Sequence, residues 1–437
     1  MPGLIRRALK GNASFWGLVE YGVGPLTALA AVPLLFGQLG TVGYGQFAMV
    51  LALAGFGNVA NLGAAITATK LVSERVHEEG GAVRGASVSV ALVSLALGVV
   101  AIGAVIAWLA ILLFWPHVTF GGLPIAALAL PALAVYLGQQ VDQLFSGCLK
   151  GSEHFSATAL CEGGGRIAAL AISVTVAFMT KSPALTALAQ AAGLLCTGLL
   201  KMHLFARQHG RSVILPHYDK PAMGTAFRFS RWSWLNSLSA LAFGSVDRVL
   251  VGSLLGPAVL AIYTVGAQVG QIIHTVCVAL FQKAMPRVSR LLSQSKEGVA
   301  PGREIRKMVL VNFALSAIGT VLGLAFAGPL LRMLAGEDAT AHLHTFQLLI
   351  VASGLLSLNV ASHFSLLGLG NARVVALLNG GAGLVMIGVL VFGVPLMGEP
   401  AAGWARILYA LVTLLGIWVA FRETRPMASP IVSPGLR

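Results

Sequence analysis

Charge is what this chain has least of. Only 10% of its 437 residues are Asp, Glu, Lys or Arg, against about a quarter in soluble domains, and that shortage beside 57% hydrophobic residues excludes a soluble globular protein. Acids are the scarcer sign, 15 against 29 Lys and Arg, giving a net charge of +14. No basic residue sits in a motif that reads RNA or DNA, so the excess is assigned to membrane topology rather than to nucleic acid. Cysteines number four, Cys148, Cys161, Cys196 and Cys277. All lie in or at the ends of apolar runs without CxxC or metal spacing, which leaves them as inert core thiols and gives no metal site. Leu4 to Lys10 is basic and amphipathic, but no small-residue cleavage site follows, so it is read as retained rather than as a signal peptide.

What the sequence does have is apolar runs of membrane-spanning length. At about 20 residues per crossing of a roughly 30 Å hydrocarbon core, twelve helices are expected. Six cover roughly 14–36, 45–69, 86–114, 123–149, 156–179 and 183–205, and six cover roughly 229–254, 259–284, 308–334, 343–369, 372–396 and 401–421. Breaks carry turn chemistry such as Gly37 and Gly40, Trp115-Pro116, Ser182-Pro183, Gly256-Pro257 and Glu399-Pro400. With the N-terminus cytoplasmic, 24 of the 29 basic residues fall in inside segments. Outside loops hold only Lys181 and Arg332, Arg406 sits just inside the last helix, and Arg166 and Arg248 fall within helices. That asymmetry places both chain ends in the cytoplasm. The expected fold is an all-α polytopic membrane protein of about 12 transmembrane helices in two bundles, 1–215 and 216–421, followed by a Pro- and Ser-rich tail, 422–437, read as disordered.

The two bundles resemble one another. A shift of 216 residues pairs Ser14, Trp16 and Glu20 with Ser230, Trp232 and Asn236, and pairs Leu39-Gly40 and Phe47 with Leu255-Gly256 and Tyr263. A shift of 219 pairs the stretch from Phe145 with that from Phe364, bringing Gly151 onto Gly370. Each half has an even number of helices, so the halves share one orientation and are related by a pseudo-two-fold along the membrane normal.

An ionised side chain at the bilayer centre costs about 2.5–3.5 kcal/mol, so each one present needs a reason. Candidates are Glu20, Asp142, Glu162, Arg166, Asp247 and Arg248. Trp232, Asn236, Ser239, Phe243 and Asp247 recur every three or four residues on one helix face, and Thr264, Gln268, Gln271 and either His274 or Thr275 form a similar stripe on the next. Such stripes either glue helices together or line a wet cavity. Arg166 follows Glu162 by one turn, the spacing of an intrahelical pair. Asp247 and Arg248, as sequence neighbours, diverge by about 100° around a helix, so Arg248 needs another partner: a carboxylate on a neighbouring helix, or a bound phosphate that matches guanidinium geometry. Asp142 lies near the cytoplasmic edge and is open to hydration, whereas Glu20 is deeper.

With LGTVGYGQF at 39–47 and SVDRVLVGSLLGPAVLAIY at 245–263, in which Asp247-Arg248 is followed by Gly252, Leu255-Gly256 and Tyr263, the chain resembles the polysaccharide transporter family. These are flippases of lipid-linked O-antigen, capsule and exopolysaccharide units in the bacterial inner membrane, within the superfamily that includes multidrug and toxic compound extrusion transporters. The resemblance implies a polyprenyl-diphosphate-linked oligosaccharide as substrate, membrane lipid as surroundings and a polysaccharide polymerase as a partner. It implies no enzyme activity and no cofactor. Arg248 and Arg166 are then the candidates for the diphosphate; Trp232, Asn236, Gln268 and Gln271 for the sugars; and Glu20, Asp247, Asp142 and Glu162 for coupling to H+ or Na+. Competing readings are a cation-coupled multidrug exporter, for which buried arginines are ill suited, and a flippase of the peptidoglycan lipid intermediate. Moving a net anion outward gains about 2.3 kcal/mol per charge per 100 mV, so a coupling ion is not required energetically. Transport that persists unchanged in vesicles lacking any cation gradient would exclude coupling.

Overall fold

The computed structural model describes residues 13–60, 68–69, 71–73, 81–114, 117–210, 215–217, 224, 242–282, 284–294 and 302–423. The chain is almost wholly helical there, as a bilayer demands, because only a helix satisfies its own backbone hydrogen bonds without water. In chain order the helices are α1 (Ala13–Ala60), α2 (Gly81–Phe114), α3 (Ile125–Gly151), α4 (Phe155–Thr180), α5 (Pro183–His209) and α6 (Asp247–Phe281). They continue as α7 (Ala284–Gln294), α8 (Gly302–Ala325), α9 (Ala327–Ala335), α10 (Leu343–Leu358), α11 (Val360–Gly368), α12 (Ala372–Met397) and α13 (Pro400–Glu423). A two-strand hairpin, β1 (Thr119–Phe120) and β2 (Leu123–Pro124), links α2 to α3.

Ten apolar stretches among the described residues are long enough to cross a membrane. Two of them, Gly22–Phe56 and Gly244–Phe281, run to 35 and 38 residues, which at 1.5 Å per residue exceeds one hydrocarbon thickness. Each is broken at a glycine in a backbone region closed to ordinary side chains: Gly40 (φ 67, ψ 176) and Gly256 (φ 85, ψ 174). The chain folds back at these corners. Phe36 and Tyr44, eight residues apart, bring their rings within 5.1 Å, and a Cβ on Gly252 would lie 2.9 Å from Leu260, again eight residues on. Each long stretch therefore has two arms, and with the eight other spans these correspond to the twelve expected segments, of which 61–67 and 229–241 lie outside the described residues. The expected crossing at 308–334 is interrupted at Phe326 between α8 and α9, and that at 343–369 at Asn359 between α10 and α11. Amphipathic α7, in the linker beyond α6, was not foreseen.

The backbone repeats its unusual features. Besides Gly40 and Gly256, Glu153 (φ 61) is matched by Gly370 (φ 84), and Lys181 (φ 50) by Gly398 (φ 66), each 217 residues on. Gly151 abuts Thr69 and Val72, while Gly368 abuts Met285 and Val288 in the same way. The third block is therefore related by 217 residues, not 219, and Gly151 corresponds to Gly368 rather than to Gly370.

The second arm of α1 packs along the first arm of α6 through small residues. Gly45 lies directly against the Pro257 carbonyl and Gly55 against Ser245 Oγ, and a Cβ on Gly252 would stand 2.5 Å from Met49. The hairpin tip caps this seam: Gln46 Nε2 donates to the carbonyls of Phe120 (2.9 Å) and Gly121 (2.8 Å). Replacing Gly45 by Ala should force these segments apart at a cost of about 1–3 kcal/mol, lowering the thermal midpoint of the detergent-purified protein. Gly37→Ala, at a site with no atom within 4 Å, should leave the midpoint unchanged or raise it.

Candidate substrate cavity and buried charge clusters

Polar residues recur every three or four positions along α3: Gln139, Asp142 and Gln143, Ser146, Lys150. This spacing aligns them on one face. On α4, Glu162 and Arg166 follow the same rule, and on α5, Gln190, Thr197 and Lys201 share one face with Leu194 between them. Small residues let these faces meet. A Cβ on Gly193 would lie 2.5 Å from Ala169 of α4, and one on Gly198 would lie 2.7 Å from the Asp142 backbone nitrogen of α3. The result is a cavity of about 550 Å³ among α1, α3, α4 and α5, lined by Thr27, Gln139, Asp142, Ser146, Lys150, Glu162, Arg166 and Gln190 among others.

Lys201 is the anchor of this site. Its side chain is 0% exposed; its ammonium donates to Asp142 Oδ1 at 2.6 Å and to Ser146 Oγ at 2.7 Å, and lies 3.6 Å from Glu162. Ser146 Oγ in turn donates to Glu162 Oε1 at 2.8 Å. Both carboxylates are thus held by one buried cation. Arg166 stands differently: its side chain is 44% exposed, its Nη2 is 3.6 Å from Glu162 Oε2, and it makes no hydrogen bond among the described residues. It rests on Gly24 of α1, where any side chain would collide with the guanidinium.

A second cluster lies in α6 and α13. Asp247, 0% exposed, accepts from Arg406 Nε at 3.1 Å and from Tyr263 Oη at 2.7 Å. Arg406 Nε also donates to Tyr263 Oη at 2.7 Å, and its guanidinium lies 5.1 Å from the centre of the Tyr263 ring. Asp247 Oδ1 is taken by the Arg248 backbone N–H at 2.8 Å. The cluster straddles the Gly256 corner and ties it to the last helix.

The candidates from the sequence therefore separate. Arg166, Asp142 and Glu162 come together in the cavity, with the Glu162–Arg166 pair present but loose. Asp247 does not line this cavity; it lies buried against Arg406 and Tyr263. Arg248 does not pair with Asp247 through its side chain. It is half-buried, and its Nε is buried without a hydrogen-bond partner among the described residues. Gln268 Nε2 approaches Tyr44 Oη at 3.5 Å across the seam, its Oε1 is buried without a hydrogen-bond partner among the described residues, and Gln271 is exposed. Trp232 and Asn236 lie outside the described residues, as does the side chain of Glu20, whose backbone belongs to α1. Among the described residues no cluster of His, Cys, Asp or Glu is arranged to hold a metal. Sequence reasoning missed Lys201, counted among inside basic residues, and Arg406 as a partner. The α3 and α5 stripes were the available signal for the first.

Ten apolar stretches of membrane-spanning length among the described residues, with a repeated backbone and charged residues buried inside the bundle, define a multi-pass membrane protein with a transporter fold. The profile of the polysaccharide biosynthesis protein family matches residues 12–292, and the chain belongs to that family. It is 21% identical over 421 residues to a putative O-antigen transporter of Shigella flexneri, covering 94% of this chain and 97% of the relative. Its fold is similar to the inward-facing conformation of a multidrug resistance MATE family transporter of the MOP superfamily, with a TM-score of 0.67, 14% identity and 94% of each chain covered. A MOP superfamily transporter from Pyrococcus furiosus, described as having a binding pocket of reverse polarity, gives a TM-score of 0.57 at 15% identity, covering 95% of this chain and 96% of that one.

Removing Lys201 would leave Asp142 without its cation and Glu162 with only the longer contacts to Arg166 (3.6 Å) and Lys150 (4.0 Å). Lys201→Met should destabilise the protein by about 3–5 kcal/mol, and adding Asp142→Asn and Glu162→Gln to it should recover much of the loss, as read by denaturant unfolding in detergent.

Proposed function

We propose that this protein is a flippase that moves a polyprenyl-diphosphate-linked oligosaccharide from the cytoplasmic to the outer leaflet for polysaccharide assembly. The observation that carries this reading is the state of Arg166. Inside a cavity whose two acids are balanced by buried Lys201 and by Lys150, 4.0 Å from Glu162, it presents a guanidinium with unused donors. A diphosphate crossing hydrocarbon needs such fixed positive charge, and guanidinium meets phosphate through paired, charge-assisted hydrogen bonds. The family and the O-antigen relative support the same substrate class.

The distribution of Lys and Arg supports a bacterial inner-membrane protein with both ends cytoplasmic. Residues 1–215 and 216–421 act as the two bodies that rock about the α1–α6 seam, the lipid tail staying in the bilayer while the head passes between them. The membrane potential drives an anionic head outward. A cation-coupled multidrug exporter is the second reading, favoured by the MATE-like fold. It would need unpaired carboxylates for cationic substrates, and those of the cavity are paired with Lys201 and Lys150.

In cells that depend on this protein for polysaccharide export, Arg166→Ala and Arg248→Ala should each abolish export while membrane abundance stays at the wild-type level. Retained export would remove that arginine from the site, and lost abundance would make it structural. Efflux of lipophilic cations should be the same with and without the protein.

A further inference from the structure

The N-terminal cavity has more in it than a phosphate requires. Gln139 and Gln190 both line it, and the carbonyl oxygen of each is buried without a hydrogen-bond partner among the described residues. Buried acceptors are seldom left unsatisfied, because their lost hydration is uncompensated. These two therefore mark a place where a donor belongs. The terminal torsion of a glutamine is soft, so each amide can turn to meet a group in the cavity. Arg166 makes the opposite demand, since it offers donors and needs acceptors.

We infer that this cavity is a subsite for the sugar-phosphate junction of the substrate, with the sugar hydroxyls donating to Gln139 and Gln190 and the adjoining phosphate held by Arg166. This rests on the flippase reading and refines it. Sugar hydroxyls are donors and acceptors at once, and a phosphate is an acceptor only, so one ligand meets both demands. The layout follows the helices. Along α3, Gln139 precedes Lys150 by eleven residues, or about 16 Å of helix. The glutamines lie toward the middle of their crossing segments and Lys150 at the end of α3. Arg166 likewise lies eleven residues beyond Phe155 at the start of α4, so the sugar and the phosphate would sit side by side at about the same depth. A cavity of about 550 Å³ falls within the ordinary size of small-molecule sites. Thr27 adds no competing donor there, because its hydroxyl is spent on the carbonyls of Val23 (2.7 Å) and Gly24 (3.0 Å).

The test is calorimetric binding of glucose 1-phosphate, methyl glucoside and inorganic phosphate to the full-length protein in detergent. Wild type should bind glucose 1-phosphate at least tenfold more tightly than inorganic phosphate. Gln139→Leu with Gln190→Leu should erase that advantage without weakening phosphate, and Arg166→Gln should weaken both anions. Equal binding of the two anions by wild type, or an advantage that survives the double substitution, would overturn the proposal. Should the leucine variant fail to fold, Gln139→Asn with Gln190→Asn decides by the same ratio, since a shortened amide no longer reaches the sugar. Transport of lipid-linked oligosaccharide into vesicles separates the two claims. Glutamine-dependent binding without transport refutes the flippase reading alone, and transport with no glutamine-dependent binding refutes this subsite alone.

Discussion

A charge inside a low-dielectric bundle is tolerated only with a partner at contact distance, and this constraint organises the whole molecule. An unpaired ammonium or carboxylate at that depth would be several kcal/mol out of place. Lys201 meets the requirement by collecting Asp142, Ser146 and Glu162 from two other helices, and Arg406 meets it by collecting Asp247 and Tyr263 from α6. Each cluster is also a clamp. The first holds α3, α4 and α5 together; the second holds the Gly256 corner against α13. Glycines at 193 and 198 make the first possible by removing the side chains that would keep α5 away from its neighbours. Small residues and buried charges are thus two halves of one solution: the helices must come close so that the ions can touch.

Backbone and chemistry follow different symmetries. The corners at Gly40 and Gly256 and the left-handed residues at 153 and 370, and at 181 and 398, recur with a spacing of 216 or 217. The charges do not. At the repeat positions of Asp142, Glu162 and Lys201 stand Asn359, Asn379 and Trp418, and at those of Asp247 and Arg406 stand Ala31 and Ala189. Duplicated folding instructions have therefore been kept where they shape helices, while the ionic groups have diverged. One half carries an accessible polar cavity with a half-exposed arginine. The other carries a closed ionic pin and presents Trp418 outward.

This difference explains what could be read from the sequence. Crossing segments were legible because a bilayer permits little besides twenty apolar residues between polar breaks, and the corners because Gly40 and Gly256 stand where such runs are too long for one crossing. The 219-residue register was misread because glycine identity was matched. The structure aligns Gly370 with Glu153, a non-glycine in the same left-handed conformation, and sequence identity carries no trace of φ. Partner choice was the hardest part. The 100° divergence rightly argued against an Asp247–Arg248 pair, but helix periodicity says only which residues share a face, not which distant helix that face meets. Arg406, 159 residues away from Asp247, could not be found that way. Lys201 looked like an interfacial lysine because it lies near a helix end; only the face it shares with Gln190 and Thr197 hinted that it turns inward.

The position of the clusters also bears on how the halves can move. Among the described residues, every ion pair of the first network lies between 142 and 201, and the Asp247 cluster lies between 247 and 406. Neither reaches across the seam where the second arm of α1 meets α6. What crosses there is an apolar core shared by both helices, with glycine against proline and against serine, a methionine methyl and one long Gln268–Tyr44 contact of 3.5 Å. In the rocking proposed above, separating such surfaces would expose apolar contacts to lipid or water but break no buried ion pair among the described residues, so its electrostatic cost would be small. Had Arg406 or Lys201 found its partner in the opposite half, the same movement would have stranded charges in the membrane, and the constraint that builds each bundle would have locked the two together.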